Sequence, residues 1–338
     1  MSASKFNFIV GIGRSGTTLL MSMLNSHPTI QATPEVNFFN FFYNSWKNKT
    51  SFSESDFSAI AAYVESFDAK RKISGFSWDM DLFRDKIHKS QQINFRIIYH
   101  AFYSCFSYSN SHKIVSHNFD KNPINTLMLQ EIIDTLPDSK FIYLVRDSRA
   151  NYLSRKEKAK NRPANIYLDP QRWRIYNELA WKVIEKNKSR FFILKYEDLV
   201  TEPEQKIREL AEFFNFDYDP SIFKFHENVK NTSFKKVVED PMKIQQKDFV
   251  KYEKLSKPIN TDRLDVWKEK LSENEIQICS EICGEIASKF GYDIKTEYSK
   301  VYSFAYMKGL FLAKLNYYKN FGIYKAPLWL KLSRIKSR

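Results

Sequence analysis

The sequence predicts an α/β fold with a central parallel sheet flanked by helices, an aromatic-rich insertion and a basic C-terminal tail. Residues 6–11 form a short apolar run of strand character that turns tightly into helix-like sequence over 17–24. Similar runs recur at 113–116, 140–145 and 190–194, each followed by helix-like sequence. Strands that alternate with helices require a parallel sheet covered on both faces. The composition agrees: 338 residues, 43% apolar and 27% charged, are enough to bury a sizeable core. With 8 Gly, 11 Pro and no repeat, collagen-like, solenoid and largely disordered chains are excluded.

Taken in order, the first helix ends at Asn25-Ser26-His27-Pro28, where Pro28 disfavours continuation. The segment 27–34 reads as too short and polar for the second strand of a dinucleotide-binding unit. Residues 38–108 are rich in Phe and Tyr and read as an insertion between the first two strand-helix units. Helices are expected over 122–136, 148–160, 171–188, 203–214 and 272–290. The last opens with a capping box, Ser272 followed three residues later by Glu275. A body of 1–297 and an extension of 298–338 are the expected units.

The formal charge of +14 is unevenly placed. Residues 298–338 hold nine Lys and Arg and no Asp or Glu, which leaves +5 for the body. Cys105, Cys279 and Cys283 have no paired or zinc-like spacing, so three buried thiols in a reducing compartment and no metal are expected. Residues 1–5 lead straight into the first strand and no apolar run reaches 18 residues, so a cytoplasmic location is the expectation.

The turn Gly11-Ile12-Gly13-Arg14-Ser15-Gly16-Thr17-Thr18 points backbone N–H groups and a helix N-terminus at whatever lies above it, which makes an anion site. Gly11, Gly13 and Gly16 match the dinucleotide fingerprint, but no second strand is expected ahead of Glu35. The nucleotide triphosphatase loop nearly matches, with Thr17 where its lysine belongs, which argues against a P-loop kinase. A third reading fits better. Arg14-Ser15-Gly16-Thr17-Thr18 resembles the 5′-phosphosulfate loop of sulfotransferases that use 3′-phosphoadenylyl sulfate. Residues 140–155 resemble the 3′-phosphate motif of the same family, with Arg146 and Ser154 at its binding positions. An arginine at a strand end and a hydroxyl on the next helix suit a terminal phosphate.

The resemblance is nearest the tyrosylprotein-sulfotransferase-like branch and runs from Phe6 to about Asp293. It implies a P-loop-like sheet and 3′-phosphoadenylyl sulfate as co-substrate, without a metal. Phe119-Asp120-Lys121-Asn122-Pro123 resembles that branch's Lys-x-Pro segment, placing Lys121 at its catalytic lysine. Lys195-Tyr196-Glu197-Asp198-Leu199 resembles a segment whose tyrosine touches the nucleotide, which implies that role for Tyr196. Lys257-Pro258-Ile259-Asn260, followed by Trp267, implies a nucleotide contact for Lys257. Two positions depart: Lys158 stands where the branch has an arginine, and Asn37 where it has another. The second departure weakens the case for a peptide tyrosine as acceptor.

Sulfuryl transfer needs positioning and charge stabilisation above all. Arg14, the amides of Ser15, Gly16, Thr17 and Thr18, and Lys121 are assigned to the leaving phosphate and the group in transit. Glu35, 21 residues after Arg14, stands at the branch's catalytic glutamate and is one candidate base. His117 is its rival, since cytosolic small-molecule sulfotransferases use a histidine. A non-catalytic nucleotide-binding protein is the other class, against which Lys121 and Glu35 together argue. The expected partner is an acceptor with a hydroxyl group, whether glycan, lipid, small molecule or protein tyrosine. The tail, which interleaves aromatics with lysines, fits an anionic membrane surface, an acidic glycan or lipid acceptor, or a helix pair packed on the core. No recognised nucleic-acid motif supports a nucleic-acid partner.

Overall fold

The computed structural model describes residues 5–71, 76–108, 114–158, 163–229, 255–294 and 303–336. In chain order the first part runs β1 (Lys5–Gly11), α1 (Thr17–Asn25), β2 (Ile30–Thr33), α2 (Phe38–Trp46), α3 (Glu54–Arg71), β3 (Phe76–Trp78), α4 (Met80–His88), α5 (Phe95–Ser104) and β4 (Phe106–Tyr108). Next come β5 (His117–Lys121), α6 (Leu129–Thr135), β6 (Phe141–Val145), α7 (Ser148–Lys156), α8 (Asp169–Lys186), β7 (Phe191–Lys195), α9 (Tyr196–Thr201), α10 (Pro203–Phe214) and α11 (Phe225–Val229). The chain closes with α12 (Val266–Lys270), α13 (Glu273–Lys289), α14 (Phe304–Lys325) and α15 (Leu328–Lys336).

Five strands form one parallel sheet in the order β2-β5-β1-β6-β7. Successive strand residues face opposite sides, so each strand serves two cores. Phe8 and Val10 of β1 join Phe141, Tyr143 and Val145 of β6 in a layer with Trp173 and the insertion's Phe38, Phe42 and Phe102. The intervening Ile9, Ile142 and Leu144 face Leu20, Met23 and Leu24 of α1 and Ile207, Leu210 and Phe214 of α10. The insertion carries the aromatic wealth: the Phe38 and Phe102 rings stack at 4.0 Å and those of Phe42 and Trp46 at 4.1 Å.

Three expectations need correction. A second strand does exist in 27–34: β2 is four residues long and fully buried. It survives as an edge because Asn25 stands in for a neighbouring strand, its amide donating to the Ala32 carbonyl at 2.7 Å and its carbonyl accepting from the Ala32 N–H at 2.8 Å. The strand expected at 113–116 starts instead at His117, and Ile114 is 82% exposed; residue 113 lies outside the described residues. The helix expected over 122–136 is a 3-10 turn, Pro123–Met128, followed by α6. Other helices match within a few residues, including the Ser272 and Glu275 capping box of α13. Residues 159 and 160 of the expected 148–160 helix lie outside the described residues, and α7 ends at Lys156.

The described part of the tail is a helix pair. Tyr306, Phe321 and Tyr324 of α14 and Leu328, Leu332 and Ile335 of α15 pack into the main core. Tyr302 and the rest of 295–302 lie outside the described residues, as do 337 and 338. Helix α14 closes on the chain at Gly309, where a Cβ would stand 2.6 Å from the Tyr167 Cβ. Helix α15 is tied down by Lys331, whose buried ammonium donates to the carbonyls of Asn40, Phe41 and Tyr324 at 3.3, 2.9 and 2.6 Å. Burial pulls its pKa down to about 8.

Candidate active site

Glu35, Lys121, Arg146 and Tyr196 arrive at the carboxyl ends of the strands. From β1 the chain crosses to β2 on one side, while from β6 it crosses to β7 on the other, so ligand space opens between them. A cleft of about 760 Å3 lies there, lined by the loop after β1, by Arg146 after β6, by Tyr196 after β7 and by residues 255–263.

The loop is held rigidly. Gly11 has φ 136° and Gly16 φ 96°, and Arg14 shares the left-handed region at φ 78°. A Cβ at Gly11 would fall 2.1 Å from the Leu144 carbonyl oxygen, and one at Gly16 2.5 Å from the Tyr196 ring. Thr126 clamps Gly11 by accepting from its N–H at 2.9 Å and donating to its carbonyl at 3.1 Å. Asn151 and Arg155 of α7 both donate to the Gly13 carbonyl, at 3.1 and 3.0 Å. Helix α1 then starts with no side-chain cap and no acidic residue in its first turn, so its open N–H groups suit an anion.

The cleft is strongly cationic. Arg14, Arg146, Arg155 and Arg172 line it with Lys158, Lys257 and Arg263, and among the described residues the lining carboxylates are Glu35 and Asp262; behind the lining, Arg172 pairs with Asp169 at 3.7 Å and Arg263 with Glu157. Arg14 donates through Nε and Nη2 to the Ser154 hydroxyl at 3.1 and 2.8 Å. Burial and the neighbouring Arg146 and Arg263 lower the Arg14 pKa, and burial with Arg172 lowers that of Arg155 to about 10. Arg146 is 7% exposed, lies over the Tyr196 ring at 4.2 Å and donates to the Arg263 carbonyl at 2.9 Å. Its Nε is buried without a hydrogen-bond partner among the described residues. Asp147, its chain neighbour, pairs instead with Arg149 at 2.6 Å. Guanidinium groups crowded together and withdrawn from water in part or in full favour an anionic ligand.

At one end of the cleft Lys121 Nζ donates to Glu35 Oε1 at 2.7 Å. Lys121 is buried, whereas the Glu35 side chain is 49% exposed. The segment carrying Glu35 is braced from three sides. The Asn37 N–H donates to Asn122 Oδ1 at 3.2 Å, the Tyr63 hydroxyl donates to the Val36 carbonyl, and Asn40 donates to Asn125 at 2.7 Å. Behind them Asp120 is buried and accepts from Tyr99 at 2.8 Å, Asn122 at 2.5 Å and Asn125 at 3.0 Å.

Of the residues singled out from the sequence, Arg14, Gly16, Thr17, Thr18, Glu35, Arg146, Ser154, Lys158, Tyr196 and Lys257 line the cleft, and Lys121 reaches it through Glu35. The Ser15 side chain is fully buried, near Asn151 at 3.4 Å, so only its backbone serves the loop. His117 is not at the site. It begins β5, level with Lys5 and Ile30 at the far end of the sheet, and its ring faces Ser116 Oγ at 2.9 Å and the Phe214 carbonyl at 3.2 Å. Burial lowers its pKa. Arg155, Arg172 and Arg263 escaped the sequence reading. Arg155 follows Ser154 directly and Arg263 lies six residues past Lys257, so adjacency to the chosen residues was the available signal.

The sequence pattern of the Sulfotransferase family matches residues 8–220. Protein-tyrosine sulfotransferase A of Caenorhabditis elegans is 23% identical over 86% of this chain and 68% of its own length. The protein-tyrosine sulfotransferase of Drosophila melanogaster is 21% identical over 85% of this chain, which spans 51% of that relative. The sulfotransferase domain of the Synechococcus PCC 7002 olefin synthase shares the fold, with a TM-score of 0.51 and 18% identity over 87% of this chain and 98% of that domain. The cationic strand-end cleft and a family match across most of the sheet lead to one assignment: the chain belongs to the sulfotransferase family and is an enzyme of sulfuryl transfer.

Proposed function

We propose that the donor is 3′-phosphoadenylyl sulfate and the acceptor a hydroxyl group. One observation carries the reading: the cleft joins an uncapped helix N-terminus to several buried or crowded cations at one end and to the Lys121–Glu35 pair at the other. The loop amides and Arg14 suit the phosphosulfate end. Arg146, with its idle Nε, suits the 3′-phosphate, and the Tyr196 ring beneath it supports that guanidinium. Lys158 and Lys257 add charge along the rim.

In the transfer the acceptor oxygen forms a bond to sulfur as the bond from sulfur to the 5′-phosphate oxygen breaks. The bond's electron pair leaves with the phosphate, where Arg14, the loop amides and Lys121 offset the charge. The acceptor proton goes to Glu35. The products are a sulfate monoester and adenosine 3′,5′-bisphosphate.

The test incubates the protein with sulfur-labelled 3′-phosphoadenylyl sulfate and, separately, with ATP and Mg²⁺. Binding and consumption of the first is expected, and consumption of ATP alone would replace this reading with a kinase. Glu35→Gln should lower turnover by roughly 10²–10⁴-fold while the affinity for adenosine 3′,5′-bisphosphate stays within about threefold. Retained turnover would remove Glu35 as the base.

A further inference from the structure

We infer that the acceptor is a hydrophobic alcohol or phenol whose apolar body lies in a second pocket walled by the C-terminal helices, a reading that rests on the donor assignment above. A cavity of about 330 Å3 adjoins the donor cleft and shares Asn37, Ile124 and Asn320 with it. Val36 and Asn37, the two residues after Glu35, line it, so the base stands where the two spaces meet. Its walls are Phe41 and Tyr63 from the insertion, Ile323 and Tyr324 from α14, and Leu330 and Ile335 from α15.

The chemistry of the lining selects among hydroxyl acceptors. Among the described residues, no Asp or Glu lines this pocket. The Lys331 ammonium is engaged by three backbone carbonyls, the Asn40 amide donates to Asn125 and the Asn320 amide to Tyr176, so these donors already have partners. A sugar placed here would press several hydroxyls against aromatic and aliphatic walls, each unpaired group costing about 1–3 kcal/mol. Among the described lining side chains, an acidic peptide would find Arg334 and the already engaged Lys331 as its cations. An aryl ring or acyl chain instead gains about 25 cal/mol for each Å2 of apolar surface removed from water, and its one hydroxyl can emerge beside Glu35.

The experiment ranks acceptors with sulfur-labelled donor: 2-naphthol and dodecanol against glucose and an acidic tyrosine peptide. Adenosine 3′,5′-bisphosphate binding is measured separately by calorimetry. The apolar alcohols should lead in kcat/KM. Leu330→Trp, which fills the pocket, should cut their kcat/KM by about tenfold or more while bisphosphate affinity changes less than about twofold. Should the Trp variant not fold, Leu330→Phe and the wild-type ranking give the same decision. Preference for glucose or the peptide, no turnover of either alcohol, or a filled pocket that leaves alcohol turnover unchanged would overturn the acceptor class alone. Absence of bisphosphate binding would overturn the donor reading and this inference with it.

A separate observation assigns the outer face of α14 to an anionic bilayer surface. Phe304, Met307, Phe311, Leu315 and Tyr318 are all exposed, Phe304 by 84%, and recur at helical spacing as one stripe. Gly309, Ala313 and Tyr324 occupy the opposite, buried face. At 100° per residue, Lys308 and Lys319 border the stripe on one side and Lys314 and Lys325 on the other. An apolar stripe between two rows of lysines is the geometry of a helix lying in the plane of a membrane. Residues 298–338 contain no acid to oppose anionic headgroups.

Flotation of the full chain with phosphatidylcholine vesicles containing phosphatidylserine should recover it, and vesicles of phosphatidylcholine alone should recover far less. Phe311→Ser with Leu315→Ser should abolish recovery and leave turnover of a soluble phenol unchanged. Equal recovery from both vesicles, or none from either, overturns the assignment. A wild-type dimer by light scattering that the same substitutions convert to monomer would make a second copy the occupant.

Discussion

Arg146 holds a buried, incompletely satisfied charge in the cleft, where Arg172 too has an unpaired Nε among the described residues. The Arg146 guanidinium is buried, faces an aromatic ring and a carbonyl, and leaves Nε idle, while its neighbour Asp147 is taken by Arg149. A lysine there would keep the charge and lose the planar fork that meets a phosphate through two parallel bonds. Arg146→Lys should therefore weaken adenosine 3′,5′-bisphosphate by about 10- to 100-fold, with adenosine 5′-phosphate changed less than about threefold, as read by calorimetry. Equal losses for the two nucleotides would remove Arg146 from the 3′-phosphate. At this scale the sequence was legible where a residue type and its strand-end position coincide, as for Arg14, Arg146 and Ser154. His117 misled because its position near a strand end carries no direction: it opens β5, whereas Lys121 closes it. Arg172 could not be found, since its place in the cleft depends on how α8 packs and not on any local pattern.

The phosphate loop shows how an element constrains single positions. Gly16 has φ 96° and a Cβ there would meet the Tyr196 ring at 2.5 Å, the ring on which Arg146 rests. Gly13 lacks a positive φ, and a Cβ there would meet nothing nearer than Arg155 Nη2 at 3.9 Å. Gly16→Ala should cost about 1–3 kcal/mol of stability and also weaken the bisphosphate by displacing the seat of Arg146. Gly13→Ala should stay within about 0.5 kcal/mol; urea unfolding of the pair checks both, and similar costs would reject this account of the loop. The strands show the opposite limit of legibility. β1 and β6 alternate apolar faces and were plain, whereas β5 reads His-Asn-Phe-Asp-Lys, which no hydropathy pattern marks as a buried strand. Its polar side chains are each met within the fold: His117 by Phe214, Asn118 by Gln31, Asp120 by Tyr99 and Lys121 by Glu35. Burial paired in this way is a tertiary fact, set by partners 20 to 100 residues away.

For the whole molecule the charge of +14 serves two surfaces that salt should separate. The cleft arginines are partly or fully withdrawn from water, with Arg146 at 7% exposure, while Lys158 and Lys257 on the rim and Lys308, Lys314, Lys319 and Lys325 on α14 are exposed. Screening over a Debye length of about 10 Å at 0.1 M salt and about 3 Å at 1 M weakens exposed charges far more than buried ones. Raising salt from about 0.05 to 0.5 M should abolish recovery on anionic vesicles and weaken adenosine 3′,5′-bisphosphate binding by no more than about tenfold. The tail supplies both effects through different faces of one helix. The inner face of α14, with Asn320, Ile323 and Tyr324, borders the two pockets, and the outer stripe meets the surrounding medium. Bisphosphate affinity that collapsed along the same salt curve as vesicle recovery would place the nucleotide on the exposed lysines and not in the strand-end cleft.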